Sequence, residues 1–251
     1  MSVFITGASS GFGRELAKRY AVDGHVVGVL ARRADELKTL CDEITASGGE
    51  SRSYVGDVTD VDFVKQSILS FEEDCNGIDI MIANAGMADS VFARDYSTEK
   101  VAQIINVNLM GVVGAIAAVL PGMISRCRGQ VVGISSLAGF ITSPGSGPYG
   151  ASKAAMTLLL DSLRPDAAQY GIFVTTICPG FVKTPMTDRN AFSMPFLMPL
   201  ERGVDRIYMA IKKKKRFYVF PKRLYAIICL FRLLPRAWQD RLSTGRPYIK
   251  R

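Results

Sequence analysis

The chain is short of the side chain most often used for proton transfer near neutral pH: His25 is its only histidine. It opens an apolar run and reads as structural, so acid–base chemistry needs other groups. Cysteine is sparse and badly arranged for cross-linking. Cys41, Cys75, Cys127, Cys178 and Cys229 are scattered, odd in number and never in a CxxC pair. That argues against a disulfide framework or a zinc site, and for reduced thiols. No uninterrupted run reaches 18 apolar residues, so no spanning helix is predicted. The N-terminus enters "SVFITG" directly, without the layout of a signal peptide. A cytoplasmic location is expected, with membrane association through the tail left open. There are no repeats and no Pro- or Gly-rich linker. Acids are scarce in one region: residues 212–251 hold 13 Lys or Arg and a single acid, Asp240, a net of +12. Residues 1–211 keep 18 bases and 22 acids, a net of −4. A mildly acidic body thus carries a strongly basic tail, which points to an anionic partner.

What is present suits one large α/β domain. The 251 residues are 48% hydrophobic, enough for a sizeable core. Short apolar runs at 3–6, 25–31, 51–55, 78–83, 130–135 and 173–178 read as strands, and "RFYVF" (216–220) as a seventh. Helical patterns at 12–23, 34–47, 60–75, 97–126 and 149–170 lie between them. Continuous apolar strands alternating with helices predict right-handed βαβ units and a doubly wound, Rossmann-type parallel sheet of about seven strands. The domain is expected over 1–220, with 221–251 a basic, apolar extension that is no independent domain.

The first strand runs into "TGASSGFG", with glycines at 7, 11 and 13. Glycine in a strand-to-helix turn allows positive φ and close approach of a ligand to the backbone. The helix that follows offers free N–H groups and a positive dipole end to a pyrophosphate. The spacing is G-x-x-x-G-x-G rather than G-x-G-x-x-G. Further on, "YGASK" sets Tyr149 and Lys153 four residues apart, on one face of a helix.

Seven motifs follow in order: "TGASSGFG", "DV" (57–58), "NAG" (84–86), "NVNLMG" (106–111), "ISS" (134–136), "YGASK" and "PG" (179–180). With them the chain resembles the short-chain dehydrogenase/reductases, over roughly residues 2–186. The resemblance implies a nicotinamide-dependent oxidoreductase. It implies cofactor contacts from Gly7, Ser9, Ser10, Gly11, Phe12 and Gly13 in the phosphate loop. Asp57 and Val58 would meet the adenine, Asn84, Ala85 and Gly86 would wall the adenine and ribose side, and Pro179, Gly180, Val182 and Thr184 would approach the carboxamide end. Where an NAD-preferring fold carries an acid at the end of the second strand, this chain has Ala31, then Arg32 and Arg33. Arginine can fork onto a 2′-phosphate, with Ser9 and Ser10 as further donors, so NADP(H) is the expected cofactor.

The same resemblance makes Tyr149 the proton donor to a ketone, or the base for an alcohol. Free tyrosine titrates near 10. A nearby Lys153 ammonium is expected to lower that value. In the family this lysine also bonds the nicotinamide ribose. Ser136, 13 residues before Tyr149, has the spacing of the serine that polarises the carbonyl, with Ser135 its adjacent competitor. Asn108 matches the asparagine that holds a relay water. No metal is implied. Pro165 is expected to kink the helix begun near Tyr149, which puts the family's usual subunit packing in question.

The loop "KTPMTDRNAFSMPFLMPLERG" is rich in Met and Phe, and reads equally as an adaptable greasy pocket or a lid packed on the core. The tail segment 212–238 fits an interfacial helix on anionic lipid, or a helix docked on its own domain or a partner subunit. The leading expectation is an NADPH-dependent carbonyl reductase or alcohol dehydrogenase on a lipophilic ketone or secondary alcohol, assembled as a dimer or tetramer. The alternatives are a noncatalytic NADP-binding regulatory or scaffold protein and a 3-oxoacyl thioester reductase, which the roughly 30-residue tail counts against. Nucleic acid is not expected as a partner, because "KKKKR" belongs to no recognised module.

Overall fold

Every βα unit of the chain delivers its strand to one parallel sheet, in the order β3-β2-β1-β4-β5-β6-β7. The computed structural model describes residues 1–190 and 192–244, so the last seven residues of the expected extension lie outside it. In chain order the elements are β1 (Ser2–Thr6), α1 (Gly11–Val22), β2 (Val26–Ala31), α2 (Ala34–Ala46), β3 (Glu50–Val55), α3 (Val61–Cys75) and β4 (Ile80–Ala83). Then come α4 (Thr98–Ile105), α5 (Gly111–Ser125), β5 (Gly129–Ile134), α6 (Gly147–Ala168), β6 (Ile172–Pro179), α7 (Leu200–Lys212), β7 (Phe217–Phe220), α8 (Lys222–Arg232) and α9 (Arg236–Thr244).

The continuous apolar strands bury both faces. In β1, Val3 and Ile5 point into the core under α1, α2 and α7, while Phe4 points into the core under α3, α5 and α6. The strand order reverses between β1 and β4. Loops leaving those two strands diverge and open a crevice at the carboxyl edge of the sheet, which is where such folds bind ligands.

Four expectations change. Pro165 does not interrupt its helix: α6 runs on to Ala168. Only three helical residues follow the proline, and Arg164 beside it fastens the end to the sheet. Its guanidinium donates to Val174 O (3.2 Å), Thr176 Oγ1 (3.0 Å) and Arg216 O (3.0 Å). Helix α7 is absent from the sequence reading, although Val204, Ile207, Tyr208 and Ile211 bury one face at helical spacing. The segment expected at 97–126 as one helix is α4 and α5 joined by a π-helical turn, Asn106–Met110. Taken together, Thr98–Ser125 is long and apolar enough by composition to cross a membrane, but 56% of the apolar window is buried within the fold, where α5 packs on α3.

The fourth change concerns the tail. It forms two helices, not one, separated at Leu233–Pro235, where Pro235 disfavours helical backbone at the residue before it. Its inner face docks on its own domain. Ile228 is buried with Leu137 and Cys178, and Leu224, Tyr225, Phe140 and Phe217 pack around them. The "KKKKR" run stands before β7 and α8 begins after it, so the two do not form one continuous amphipathic surface.

Candidate active site

The loop between β1 and α1 is tight because it lacks side chains at set places. Gly7 and Gly11 have φ of +69° and +55°. A Cβ on Gly13 would lie 2.5 Å from Gly7 O and 2.6 Å from Asn84 Nδ2. The N–H groups of Gly7 and Ala8 both donate to Leu30 O, at 2.8 and 3.2 Å. The first turn of α1 carries no acidic residue and no side-chain cap, since the Ser10 hydroxyl is engaged elsewhere. Its N–H groups are therefore available to an anion.

The "NAG" segment is stitched to this loop. Asn84 Nδ2 donates to Thr6 O (3.0 Å) and Gly7 O (3.1 Å). Thr6 Oγ1 accepts the backbone N–H of both Asn84 and Ala85, each at 3.1 Å. Thr6 is a positioning residue that the sequence reading left out. Its place directly before Gly7 was the available signal. Phe12 turns into the core beside Gly203 and Val182, and Val58 is buried against Gly111.

At the end of β2 the two arginines separate. Arg33 reaches across the loop, and its guanidinium donates to Ser9 Oγ (2.8 Å) and Ser10 Oγ (2.8 Å). Arg32 is 67% exposed and meets Asp57 Oδ2 at 3.5 Å. Asp57 also accepts from the Thr59 N–H and hydroxyl, both at 3.0 Å. Desolvation pushes the Asp57 carboxyl up, but the Thr59 bonds and the Arg32 charge outweigh it and hold the group below its ordinary value.

The residues carried by β5, α6 and the π-helical turn converge. Ser136, at the end of β5, accepts the Ala138 N–H at 3.1 Å and lies beside the Tyr149 phenol. Its neighbour Ser135 points away, bonded to Lys153 O (2.9 Å) and Thr157 Oγ1 (2.8 Å), so Ser136 alone of the pair faces Tyr149. Lys153 is buried, and its Nζ donates to Ile134 O at 2.9 Å. Asn108 is fully buried in the π-helical turn. Its Oδ1 accepts the Met87 N–H (2.7 Å), and its Nδ2 donates to Met87 O (2.9 Å) and Ser152 Oγ (3.0 Å). Ser152 in turn donates to Tyr149 O at 2.7 Å. Ser152 was not read from the sequence as a site residue, although it lies one residue before Lys153. A Cβ on Gly86 would come within 3.3 Å of Asn108 Oδ1 and 3.5 Å of Lys153 Nζ. Asn108 thereby ties "NAG", the turn and α6 into one frame.

The electrostatics correct one expectation. Burial raises the Tyr149 pKa, and the neighbouring Ser136 hydroxyl offsets this only in part. The Lys153 ammonium does not lower it in this structure, because Nζ is turned to the Ile134 carbonyl and lies 6.0 Å from the Tyr149 ring centre. Lys153 itself is lowered to about 8 by burial. Burial thus favours the neutral form of both groups.

Beyond β6, Gly180 N–H donates to Phe220 O at 2.7 Å. Pro179 closes the strand, and Val182 is buried and bridged to Met198. Thr184 lies beside Gly11, where an added Cβ would meet its Cγ2 at 3.6 Å. The Met- and Phe-rich loop divides between its two readings: Met198 packs on the core, while Met186, Phe196 and Leu197 are exposed. A cleft of about 210 Å³ runs between the tail and the segment joining Ser136 to Tyr149, lined by Ile141, Thr142, Ser143, Phe231, Leu242 and Ser243. His25 sits at the opposite edge of the sheet against the Tyr20 ring.

Comparison with known proteins agrees with this geometry. A family profile described as short chain dehydrogenase matches residues 1–193. An uncharacterised oxidoreductase of Myxococcus xanthus is 38% identical over 239 residues, covering 95% of this chain and 94% of that one. The oxidoreductase UcpA of Salmonella typhimurium is 37% identical over 191 residues, 76% of this chain and 72% of its own. Among solved structures, a short-chain type dehydrogenase/reductase from Mycobacterium marinum superposes with a TM-score of 0.80 at 27% identity, over 87% of this chain and 92% of that one. A short chain dehydrogenase from Mycobacterium paratuberculosis bound to NAD has the same fold, with a TM-score of 0.79 at 24% identity over 87% of this chain and 94% of that one.

Proposed function

The chain is an oxidoreductase of the short-chain dehydrogenase family, and we propose that it moves a hydride between NADP(H) and a lipophilic ketone or secondary alcohol. The observation that carries this is the placement of Ser136 beside the Tyr149 phenol, with Lys153 buried one helical turn on. The cradle of Gly7, Gly11 and Gly13 and the uncapped start of α1 fit a dinucleotide. Arg33, Ser9 and Ser10 would receive a 2′-phosphate, with Arg32 beside them. The Mycobacterium paratuberculosis protein is bound to NAD. The NADP reading here rests on this chain's own two arginines.

When bound, the cofactor supplies the hydride. The protein moves the proton. In ketone reduction, Tyr149 gives its phenolic proton to the carbonyl oxygen that receives negative charge, and Ser136 donates a hydrogen bond to the same oxygen. The raised Tyr149 pKa keeps the donor protonated at neutral pH. Lys153 would bond the nicotinamide ribose, and Asn108 holds the segment that faces Lys153. The exposed Met186, Phe196 and Leu197 favour an apolar substrate.

Tyr149→Phe tests this reading. It should abolish NADPH consumption across ketones of graded chain length while leaving NADPH binding intact. Near-normal turnover would remove Tyr149 from its role, and a wild type inert on all of them would favour a noncatalytic binding protein.

A further inference from the structure

Helix α8 has two apolar faces, and the fold uses one. Leu224, Tyr225 and Ile228 are packed against the domain. Ile227 and Leu230, three residues apart on another face, are exposed, as are Leu233 (81%) and Leu234 in the break that follows the helix. The apolar surface continues onto α9 through Trp238 (61% exposed) and Leu242. Exposed Lys222, Arg223, Arg232, Arg236 and Arg241 border it, and Asp240 is the single acid of the two helices.

We propose that this outer face of α8 and α9 docks on an anionic bilayer. Leucines and a tryptophan bordered by bases are the composition of a helix that lies in the headgroup region. The charge pattern selects this occupant over a second copy. An isologous contact through the same patch would bring two equal sets of arginines together. Anionic headgroups complement the bases. The acidic body, net −4 over residues 1–211, is repelled from the same surface, so the protein is oriented with its tail toward lipid. The basic run before β7 takes no part in this face. Lys212, Lys214 and Lys215 stand over the rings of Tyr208, Phe173 and Tyr218, at 5.7, 4.0 and 4.8 Å. Docking would also bring lipid to the cleft beside the Ser136–Tyr149 segment.

Trp238 is the chain's only tryptophan, so its emission reads the docking directly. The full chain is mixed with vesicles of equimolar phosphatidylglycerol and phosphatidylcholine at low salt. Cosedimentation, a blue shift and quenching by bromine-labelled acyl chains are expected, with release at high salt. Pure phosphatidylcholine should bind at least tenfold less. Leu230→Ser with Leu234→Ser should lower lipid partition at least tenfold at unchanged NADPH affinity. Arg232→Ser with Arg236→Ser should flatten the salt dependence. No shift and no sedimentation at any salt would overturn the proposal. Equal binding to neutral vesicles would overturn its electrostatic basis. A lipid-free blue shift that rises with protein concentration and a doubled mass would assign the face to a second copy instead.

Discussion

Arg33→Ala is the substitution that most directly tests how the nucleotide is chosen. The Arg33 guanidinium bridges Ser9 and Ser10 at 2.8 Å each, which places its charge over the first βα loop. Arg32 is 67% exposed and drawn to Asp57 at 3.5 Å, so the larger effect is expected at Arg33. A hydrogen bond to a charged group contributes about 1.5–3 kcal/mol. Arg33 is exposed, and solvent screens it, so the lower end applies. About 1.5 kcal/mol is roughly a tenfold change in affinity. NADPH affinity should therefore fall roughly tenfold in Arg33→Ala, NADH affinity should barely move, and Arg32→Ala should show a smaller loss. Cofactor fluorescence titration measures this without a known substrate. Repetition at high salt should shrink the wild-type preference. Equal wild-type affinity for NADPH and NADH would refute the reasoning. So would an unchanged NADPH affinity in Arg33→Ala.

Other outcomes follow from the buried frame. Thr6→Val removes the acceptor of two N–H groups and should cost about 1–3 kcal/mol, seen as a lower urea midpoint with unchanged slope. Lys153 is charged at a cost below about pH 8, because burial lowers it from 10.5 to about 8. Between those values the unfolded chain binds more protons, so this group's contribution to stability rises with pH through that window. The difference in unfolding free energy between wild type and Lys153→Met should rise above pH 8. A pH-independent difference would contradict the buried ammonium. Gly13→Ala should weaken NADPH binding and lower stability, since its Cβ would strike Gly7 O and Asn84 Nδ2.

Much of the architecture was legible because parallel strands buried on both faces are written as continuous apolar runs. All seven runs, "RFYVF" included, became strands, although β3 (ESRSYV) is an edge strand with no buried residue. Helix α7 was passed over because it follows a Met- and Phe-rich loop whose composition dominates its neighbourhood, though its buried residues keep helical spacing. Pro165 was legible as a residue but not in its effect. That depended on how little helix follows it and on the Arg164 bonds to β6 and Arg216.

The sequence by itself determined the family and the βαβ order and singled out Ser136, Tyr149, Lys153 and Asn108 as candidates, because motif type and spacing are local properties. Only the tertiary structure decided how those residues are arranged. It turned Ser135 into the helix and left Ser136 facing Tyr149. It raised the phenol where the sequence had it lowered, because burial depends on what surrounds a group and not on its neighbours in the chain. It set Arg33 rather than Arg32 over Ser9 and Ser10, and it divided the tail into a face that packs and a face that does not. Side-chain direction, desolvation and the partner of each face arise from residues far apart in sequence, and these come together only when the sheet closes over both of its cores.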